Sequence, residues 1–98
     1  MGVINRIDLS SVEELIKKIV SISSEIKLLQ DEIEDVLIHT KENEKLFLDG
    51  KISKDVYKEN KTKLKSEMNE LRKKVKGKIV EALKIVENGE KIIEANRI

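Results

Sequence analysis

Two long runs of helical periodicity are separated by Leu46-Phe47-Leu48-Asp49-Gly50-Lys51-Ile52-Ser53-Lys54-Asp55-Val56-Tyr57, at the middle of a 98-residue chain. Glycine accepts the left-handed conformation that ends a helix, so we expect Gly50 to end the first helix. Ser53 is a suitable N-cap for a second helix, because its hydroxyl can accept from backbone N–H groups of the next turn. Asp55 places negative charge at the positive end of that helix, and Ile52 and Tyr57 have the spacing of a hydrophobic staple. This stretch therefore predicts a corner over residues 49–53.

The residues before the corner repeat with 3-4 spacing over a long distance. Residues 1–10 show no such period and predict an irregular arm. Ser10 and Ser11 are each followed by a glutamate three residues later, as in a capping box, so we expect a first helix over residues 11–48. The repeating positions, which we call the seam, are Val12, Leu15, Ile19, Ile22, Ile26, Leu29, Ile33, Val36, Thr40, Asn43 and Phe47. A sustained seven-residue repeat is typical of coiled-coil packing.

The residues after the corner predict a second helix over residues 54–88. Its seam begins with Tyr57, Lys61, Leu64, Met68, Leu71 and Val75. Two tracks then compete, one with Lys78, Ala82, Ile85, Gly89 and Ile92, the other with Ile79, Ala82 or Leu83, Val86 and Ile93. Asn88-Gly89 has the composition of a C-cap. Either the helix ends there and a short extra helix follows, or it continues to residue 96.

The two seams match when the chain is folded at Gly50–Lys51. Residues whose numbers add up to about 101 then face each other, which places Val12 opposite Gly89 and Thr40 opposite Lys61. Small residues oppose branched aliphatic residues in this register, and the polar positions coincide. Agreement between independently derived patterns favours one fold. The predicted fold is all-α, an antiparallel two-helix hairpin of the coiled-coil type, forming a single domain over residues 1–98.

The composition limits the classes of function. The chain is 40% charged and 39% hydrophobic, and it contains no cysteine. Disulfides and thiol chemistry are thereby excluded, and a reducing compartment is favoured, so we expect a cytoplasmic location. No apolar run is long enough to span a membrane, and the sequence lacks the pattern of a secretory signal. Many Lys and Glu residues with a single Gln are compatible with a thermophilic or archaeal source and do not require one.

No residue pattern predicts catalysis, a cofactor or a metal ion. His39 is the only histidine, and carboxylates such as Glu42 lie within its reach on any acidic helix. The acidic run at residues 31–35 has no loop that would wrap a cation. A pair of helices offers no concavity to shift the pKa of a catalytic carboxylate, and no phosphate-binding glycine loop is present. We therefore expect a protein that is not an enzyme and needs no cofactor.

Charge is distributed unevenly along the chain. Residues 1–50 carry 6 basic and 11 acidic residues, whereas residues 51–98 carry 14 and 8. The halves are expected to complement each other within the hairpin or between copies, with Asp31–Asp35 near Lys63–Arg72. Alternatively, the basic face from Lys61 to Lys78 contacts an anionic partner such as nucleic acid or a membrane surface. The candidate residues for that contact are Lys61, Lys65, Arg72, Lys73 and Lys76.

Aliphatic residues outnumber the seam positions. The additional ones are Ile16, Val20, Leu37, Ile79, Val80, Leu83, Val86 and Ile93. They form a shoulder beside the seam, where a second hairpin would pack in a helical bundle. Because an exposed apolar patch commonly marks an interface, we predict a homodimer that forms a four-helix bundle. The alternative is that the first and last residues of the same chain fold back and cover this shoulder.

The corner resembles a known family of helical assemblies. Leu48-Asp49-Gly50-Lys51-Ile52-Ser53, followed by Tyr57, Leu64 and Leu71, is similar to the bends of ESCRT-I core subunits. Their headpiece is built of helical hairpins packed side by side, with a recurring Gly-x-Ile-x-x-x-x-(Phe/Tyr) bend. Residues 46–72 also resemble SHOCT-type hairpins and archaeal coiled-coil cell-division proteins. The second helix departs from the ESCRT-I pattern, because it is rich in lysine where that family has aromatic, arginine and histidine residues.

The resemblance implies a hairpin that assembles with other helices. The function expected from it and from the helical pattern is a non-enzymatic interaction or scaffold module that presents helical faces to itself and to partner proteins. The alternative is a nucleic-acid-binding hairpin that uses the basic face from Lys61 to Lys78.

Overall fold

A computed structural model describes residues 9–95 as two α-helices joined by a short corner. Helix α1 spans Leu9–Leu48 and helix α2 spans Lys54–Ala95, and the described residues contain no strand. The predicted all-α antiparallel hairpin is confirmed. Most of the predicted arm, residues 1–8, lies outside the described residues. Over the described part of the chain, neither helix has a stretch long and apolar enough to cross a membrane.

Helix α1 begins earlier than the sequence predicted, and α2 follows the longer of its two predicted courses. Helix α1 begins at Leu9 rather than Ser11, so Ser10 and Ser11 lie within its first turn. Helix α2 continues through Asn88 and Gly89 to Ala95, so the predicted C-cap is wrong and the continuous helix is confirmed. A glycine inside a helix costs only about 1 kcal/mol relative to alanine. Half-buried seam residues on both sides of Gly89 are sufficient to outweigh that cost.

Helix α1 ends in a Schellman motif, as the glycine in the corner predicted. Gly50 adopts a left-handed backbone conformation with φ of 73°. The N–H of Lys51 donates to the carbonyl of Leu46 at 2.8 Å, and the N–H of Gly50 donates to the carbonyl of Phe47 at 3.0 Å. These two bonds satisfy carbonyl groups that the end of a helix would otherwise leave without donors.

The start of α2 also follows the predicted pattern. The N–H of Val56 donates to the Ser53 hydroxyl at 3.2 Å, so Ser53 is the N-cap. The ring of Tyr57 stacks on Phe47 with centroids 4.5 Å apart and planes inclined by 15°. The staple pattern had paired Tyr57 with Ile52, which is half-buried, and had not identified the ring stack. This stack joins the last turn of α1 to the first turn of α2.

The corner leads to a prediction for two glycine substitutions. Gly50→Ala is expected to lower the free energy of unfolding by about 1–2 kcal/mol, because side chains disfavour the left-handed conformation. Gly77→Ala is the control, since a Cβ there would meet nothing within 4 Å. It is expected to raise the free energy of unfolding by roughly 0.5–1 kcal/mol. Urea denaturation measures both variants, and changes of the same sign would contradict this account of the corner.

The chain divides into two compact units, and each contains part of both helices. The corner unit is Lys27–Lys76. The terminal unit comprises, among the described residues, 9–26 of α1 and 77–95 of α2.

A thin apolar core holds the corner unit together. Its buried residues are Val36, Met68 and Leu71, and Leu29, Ile33 and Leu64 pack against them. All six are predicted seam positions. Among the described residues no large side chain is buried completely. A single pair of helices covers each seam residue on one side only, which explains why burial stays incomplete.

A hydrogen-bonded polar pair lies in the seam near the corner. Asn43 is only 6% exposed, and its Nδ2 donates to the Tyr57 carbonyl at 3.1 Å. Asn60 Nδ2 donates to Asn43 Oδ1 at 3.0 Å. The prediction that Thr40 faces Lys61 is therefore wrong: Lys61 is exposed and Asn60 takes the seam position. A buried asparagine selects one register, because sliding the helices would leave its amide unsatisfied.

The register in the terminal unit also differs from the prediction. A Cβ on Gly89 would lie 3.6 Å from Leu15 Cδ1, whereas the sequence had placed Gly89 opposite Val12, one layer away. The sequence rule assumed a fold exactly between Gly50 and Lys51. The Schellman motif uses both residues to complete α1, so the chain reverses a little later.

Candidate functional site

In the terminal unit, α2 faces α1 with the less apolar of its two predicted tracks. The half-buried residues are Lys78, Ala82, Ile85, Gly89 and Ile92. The exposed residues of the competing track are Ile79, Leu83, Val86 and Ile93. The sequence left both tracks open. The structure therefore leaves the bulkier aliphatic side chains on the outside.

An ion pair between the helices accompanies this choice of track. Lys78 Nζ lies 2.8 Å from Glu25 Oε2 and 3.5 Å from Glu81 Oε2. The Lys78 side chain is 34% exposed, because its stem follows the seam while its ammonium group reaches the carboxylates. The hydrogen bond to Glu25 raises the pKa of Lys78 above its ordinary value, burial opposes the rise, and the charges of Glu25 and Glu81 add to it. A rotation of α2 about its own axis that buried Ile79 would move Lys78 away from Glu25.

The ion pair predicts a pH dependence of stability. Because the pKa of Lys78 is raised above 10.5 by folding, its contribution is complete below that value and is lost as the pH rises through the folded value. Lys78→Met keeps the apolar stem and removes the charge. We expect the variant to be less stable than the wild type near neutral pH, with a difference that shrinks as the pH rises above 10.5. Urea denaturation at neutral pH and at a pH above 10.5 tests this, and a constant difference would contradict it.

The exposed track of α2 forms an apolar surface together with two residues of α1. Each of these residues follows a seam residue by one position. Since the helices are antiparallel and face each other, that position lies on the same side of the pair in both helices. The surface, which we call the apolar face, consists of Ile16, Val20, Ile79, Leu83, Val86 and Ile93. Their exposed fractions range from 45% to 58%.

Two of the predicted association residues lie outside the apolar face. Val80 is exposed but stands one position beyond Ile79, so it is turned a further ~100° around α2. Leu37 belongs to the corner unit. Leu9, which the sequence assigned to the irregular arm, is exposed in the first turn of α1 and stands seven residues before Ile16. That heptad spacing was the signal that would have added Leu9 to the face.

In the corner unit, charges are sorted by side rather than by helix. Acidic residues that precede a seam residue by one position form the acidic side, and they are Glu32, Asp35, Glu42, Glu59, Glu67 and Glu70. Basic residues that follow a seam residue by one position form the basic side, and they are Lys27, Lys41, Lys58, Lys61, Lys65, Arg72 and Lys76. All thirteen are exposed. Each side therefore takes its charges from both helices.

The acidic side contains a groove of about 450 Å³. Its lining residues are Glu32, Asp35 and His39 of α1, and Glu67, Glu70 and Lys74 of α2, with Val36 and Leu71 at its floor. Carboxylates from the two helices thus share one groove. Among the described residues, no three His, Cys, Asp or Glu side chains are grouped so that they could hold a metal ion.

The predicted pairing of Asp31–Asp35 with Lys63–Arg72 is wrong. Asp31 Oδ1 accepts from Lys27 Nζ at 3.0 Å, and Lys63 Nζ lies 3.4 Å from Glu59 Oε1, so these ion pairs form within single helices. In the described residues, the ion pair between helices is the one between Lys78 and Glu25. Beside the seam of the corner unit, most acidic residues lie on one side and most basic residues on the other.

All the residues predicted to contact an anionic partner are exposed, but they do not form one cluster. Lys65, Arg72 and Lys76 lie on the basic side. Lys61 Nζ lies 5.7 Å from the centroid of the Tyr57 ring. Lys73 stands two positions past the seam and is turned away from α1. Lys61 follows Asn60, which takes the seam position, so Lys61 also lies on the basic side, and the structure brings together four of the five residues.

Comparison with protein-family models, with curated proteins and with solved structures finds no match for this chain. The resemblance of residues 46–72 to the ESCRT-I bends stays a prediction. The surfaces of the two units are thus the basis for assigning a function.

Proposed function

We propose that this chain is a non-enzymatic assembly module that dimerises through its apolar face into a four-helix bundle and presents helical faces to partner proteins. One observation carries this proposal. The terminal unit leaves the six aliphatic side chains of the apolar face exposed while Lys78, Ala82 and Gly89 occupy its seam. A hairpin that needed only its own stability would gain more by burying the bulkier track. The cytoplasmic location expected from the cysteine-free sequence belongs to the same proposal.

The size of the apolar face is sufficient for a dimer of moderate affinity. Each of its side chains is already about half buried, so covering the remainder contributes roughly 1 kcal/mol. Two copies together would gain on the order of 12 kcal/mol. The loss of translational and rotational freedom costs at least ~4 kcal/mol. At most ~8 kcal/mol then remains, which corresponds to a Kd no tighter than about 1 μM.

Light scattering during gel filtration tests the dimer directly. We expect a mass twice the 11.3 kDa of the chain at concentrations well above the expected Kd. A monomer mass at high micromolar concentration would overturn the proposal. It would also favour the alternative in which the ends of the same chain cover the apolar face.

Nucleic-acid binding through the basic side is the second candidate function. The observation in its favour is that Lys65, Arg72 and Lys76 are exposed on one side of the corner unit. Two features weaken it. Glu34 follows a seam residue on the same side, and Tyr57 is already stacked on Phe47 rather than available to a base.

A salt titration decides whether the basic side binds nucleic acid. If three basic residues neutralise phosphates, log K for duplex DNA should fall with log salt with a slope of about −3. Lys65→Glu with Arg72→Glu should then abolish binding. Lys17→Glu with Lys91→Glu changes the net charge equally in the terminal unit and should have a smaller effect. Absence of binding at low salt would remove this candidate.

A further inference from the structure

The corner unit places like charges from both helices on the same side of the hairpin. On the acidic side, Glu32 and Asp35 of α1 share a groove with Glu67 and Glu70 of α2. Only two basic side chains, Lys63 and Lys74, precede seam residues on that side. Like charges held close together repel, and the repulsion is relieved when a surface of opposite charge covers them.

The acidic and basic sides are counterparts of each other. The acidic side carries six acidic residues and two basic ones, Lys63 and Lys74. The basic side carries seven basic residues and two acidic ones, Glu34 and Glu44. Both sides also expose aliphatic residues. These are Leu28, Leu46 and Val56 on the acidic side, and Leu37 and Leu48 on the basic side. Each side thus combines charge complementary to the other with apolar area that a contact would cover.

We propose that the acidic side of one copy binds the basic side of a second copy. The contact joins two different surfaces, so a pair of copies still has one free acidic side and one free basic side. A contact of this heterologous type continues into a row of copies unless its rotation closes a ring. It goes beyond the proposed dimer, because it uses the corner unit and not the apolar face.

A second copy accounts for more of the charge pattern than other partners do. A nucleic acid would cover the basic side and leave the acidic groove with its clustered carboxylates. A basic protein would cover the acidic side and leave Lys65, Arg72 and Lys76 together. Both sides are neutralised at once when copies of the same chain associate side by side.

Two full-length charge-reversal variants test the contact. Glu67→Lys with Glu70→Lys cancels the net charge of the acidic side and leaves the basic side intact, whereas Lys65→Glu with Arg72→Glu nearly cancels the net charge of the basic side and leaves the acidic side intact. In about 10 mM salt, where the screening length is ~30 Å, we expect neither variant alone to associate through the corner unit. An equimolar mixture should associate, because each variant supplies the surface that the other lacks. Sedimentation velocity measures the mass, and circular dichroism confirms that both variants stay helical.

The mass of the wild type at two salt concentrations tests the same contact without substitutions. We expect its weight-average mass in about 10 mM salt to be at least twice that in about 1 M salt, where screening acts within ~3 Å. Equal masses at the two salt concentrations, or a mixture of variants no heavier than its separate components, would overturn the proposal. Loss of the salt-sensitive mass after nuclease treatment would also overturn it, since nucleic acid would then be the partner.

The same measurement on Leu83→Glu distinguishes this contact from the apolar-face dimer. Salt-sensitive association that persists in this variant supports the corner-unit contact, whether or not the dimer exists. Association that disappears in Leu83→Glu belongs to the apolar face and overturns the corner-unit contact.

Discussion

Leu83→Glu is expected to convert the proposed dimer into a monomer that keeps its helices. Leu83 is exposed on the apolar face and does not belong to the seam, so the substitution leaves the packing of α2 on α1 in place. Glutamate is a good helix former. In a symmetric dimer both copies carry the change, and each would bury a carboxylate without a partner. We expect Kd to rise at least ~1000-fold, which corresponds to about 4 kcal/mol.

Val80→Glu is the matched control for this experiment. Val80 is also an exposed aliphatic residue of α2, it lies three positions from Leu83, and the same charge is introduced. Its side chain lies ~100° further around α2 than Ile79 and ~60° from Leu83, at the rim of the apolar face, so the dimer should weaken much less than in Leu83→Glu. Light scattering gives the mass of both variants, and circular dichroism gives their helix content. A dimeric Leu83→Glu, or equal dissociation of both variants, would show that the interface lies elsewhere.

Leu71→Ala is expected to have the largest effect on the stability of the corner unit. Leu71 is 6% exposed and belongs to the buried cluster with Val36 and Met68. Removing a buried leucine side chain costs about 2–5 kcal/mol, since apolar contact is lost and a cavity remains. Because the core is thin and some of the cavity would open to solvent, we expect the lower part of this range, a decrease of about 2–3 kcal/mol in the free energy of unfolding.

Leu28→Ala provides the control for Leu71→Ala. It makes the same chemical change in the same unit, but Leu28 is 64% exposed. We expect a substitution at such a surface position to lower the free energy of unfolding by less than about 0.5 kcal/mol. Urea denaturation of the wild type and both variants at one protein concentration measures the difference, because dimerisation makes stability depend on concentration. Equal losses would mean that the described core does not carry the stability of the unit.

Local chemistry made the corner and the helices predictable from the sequence. Gly50 and Ser53 act through backbone groups within a few residues, so the end of α1 and the start of α2 do not depend on distant partners. All eleven seam positions predicted on the first helix are buried or half-buried. A repeat sustained over that length places all of these residues on one face of α1, and this face packs on α2. Only Lys61 was misplaced among the first six seam positions of the second helix, where Asn60 takes its place.

The features that bear on function depended on contacts between the helices. The tracks that begin at Lys78 and Ile79 are offset by one position along α2, and helix propensity does not determine which of them packs on α1. The ion pair between Lys78 and Glu25 joins residues far apart in the chain, and it stabilises the arrangement that exposes the apolar face.

Contacts between the helices also decided the register and the side of the seam on which each charged residue lies. Composition placed an acidic half before a basic half, which suggested pairing across the hairpin. The sign of each side depends instead on whether a charged residue precedes or follows its seam neighbour in the antiparallel pair. The sequence by itself therefore determined the corner, the helices and most of the seam, because these depend on local backbone chemistry and periodicity. Tertiary structure decided which surfaces face outward, because that depends on which residues of α1 and α2 meet.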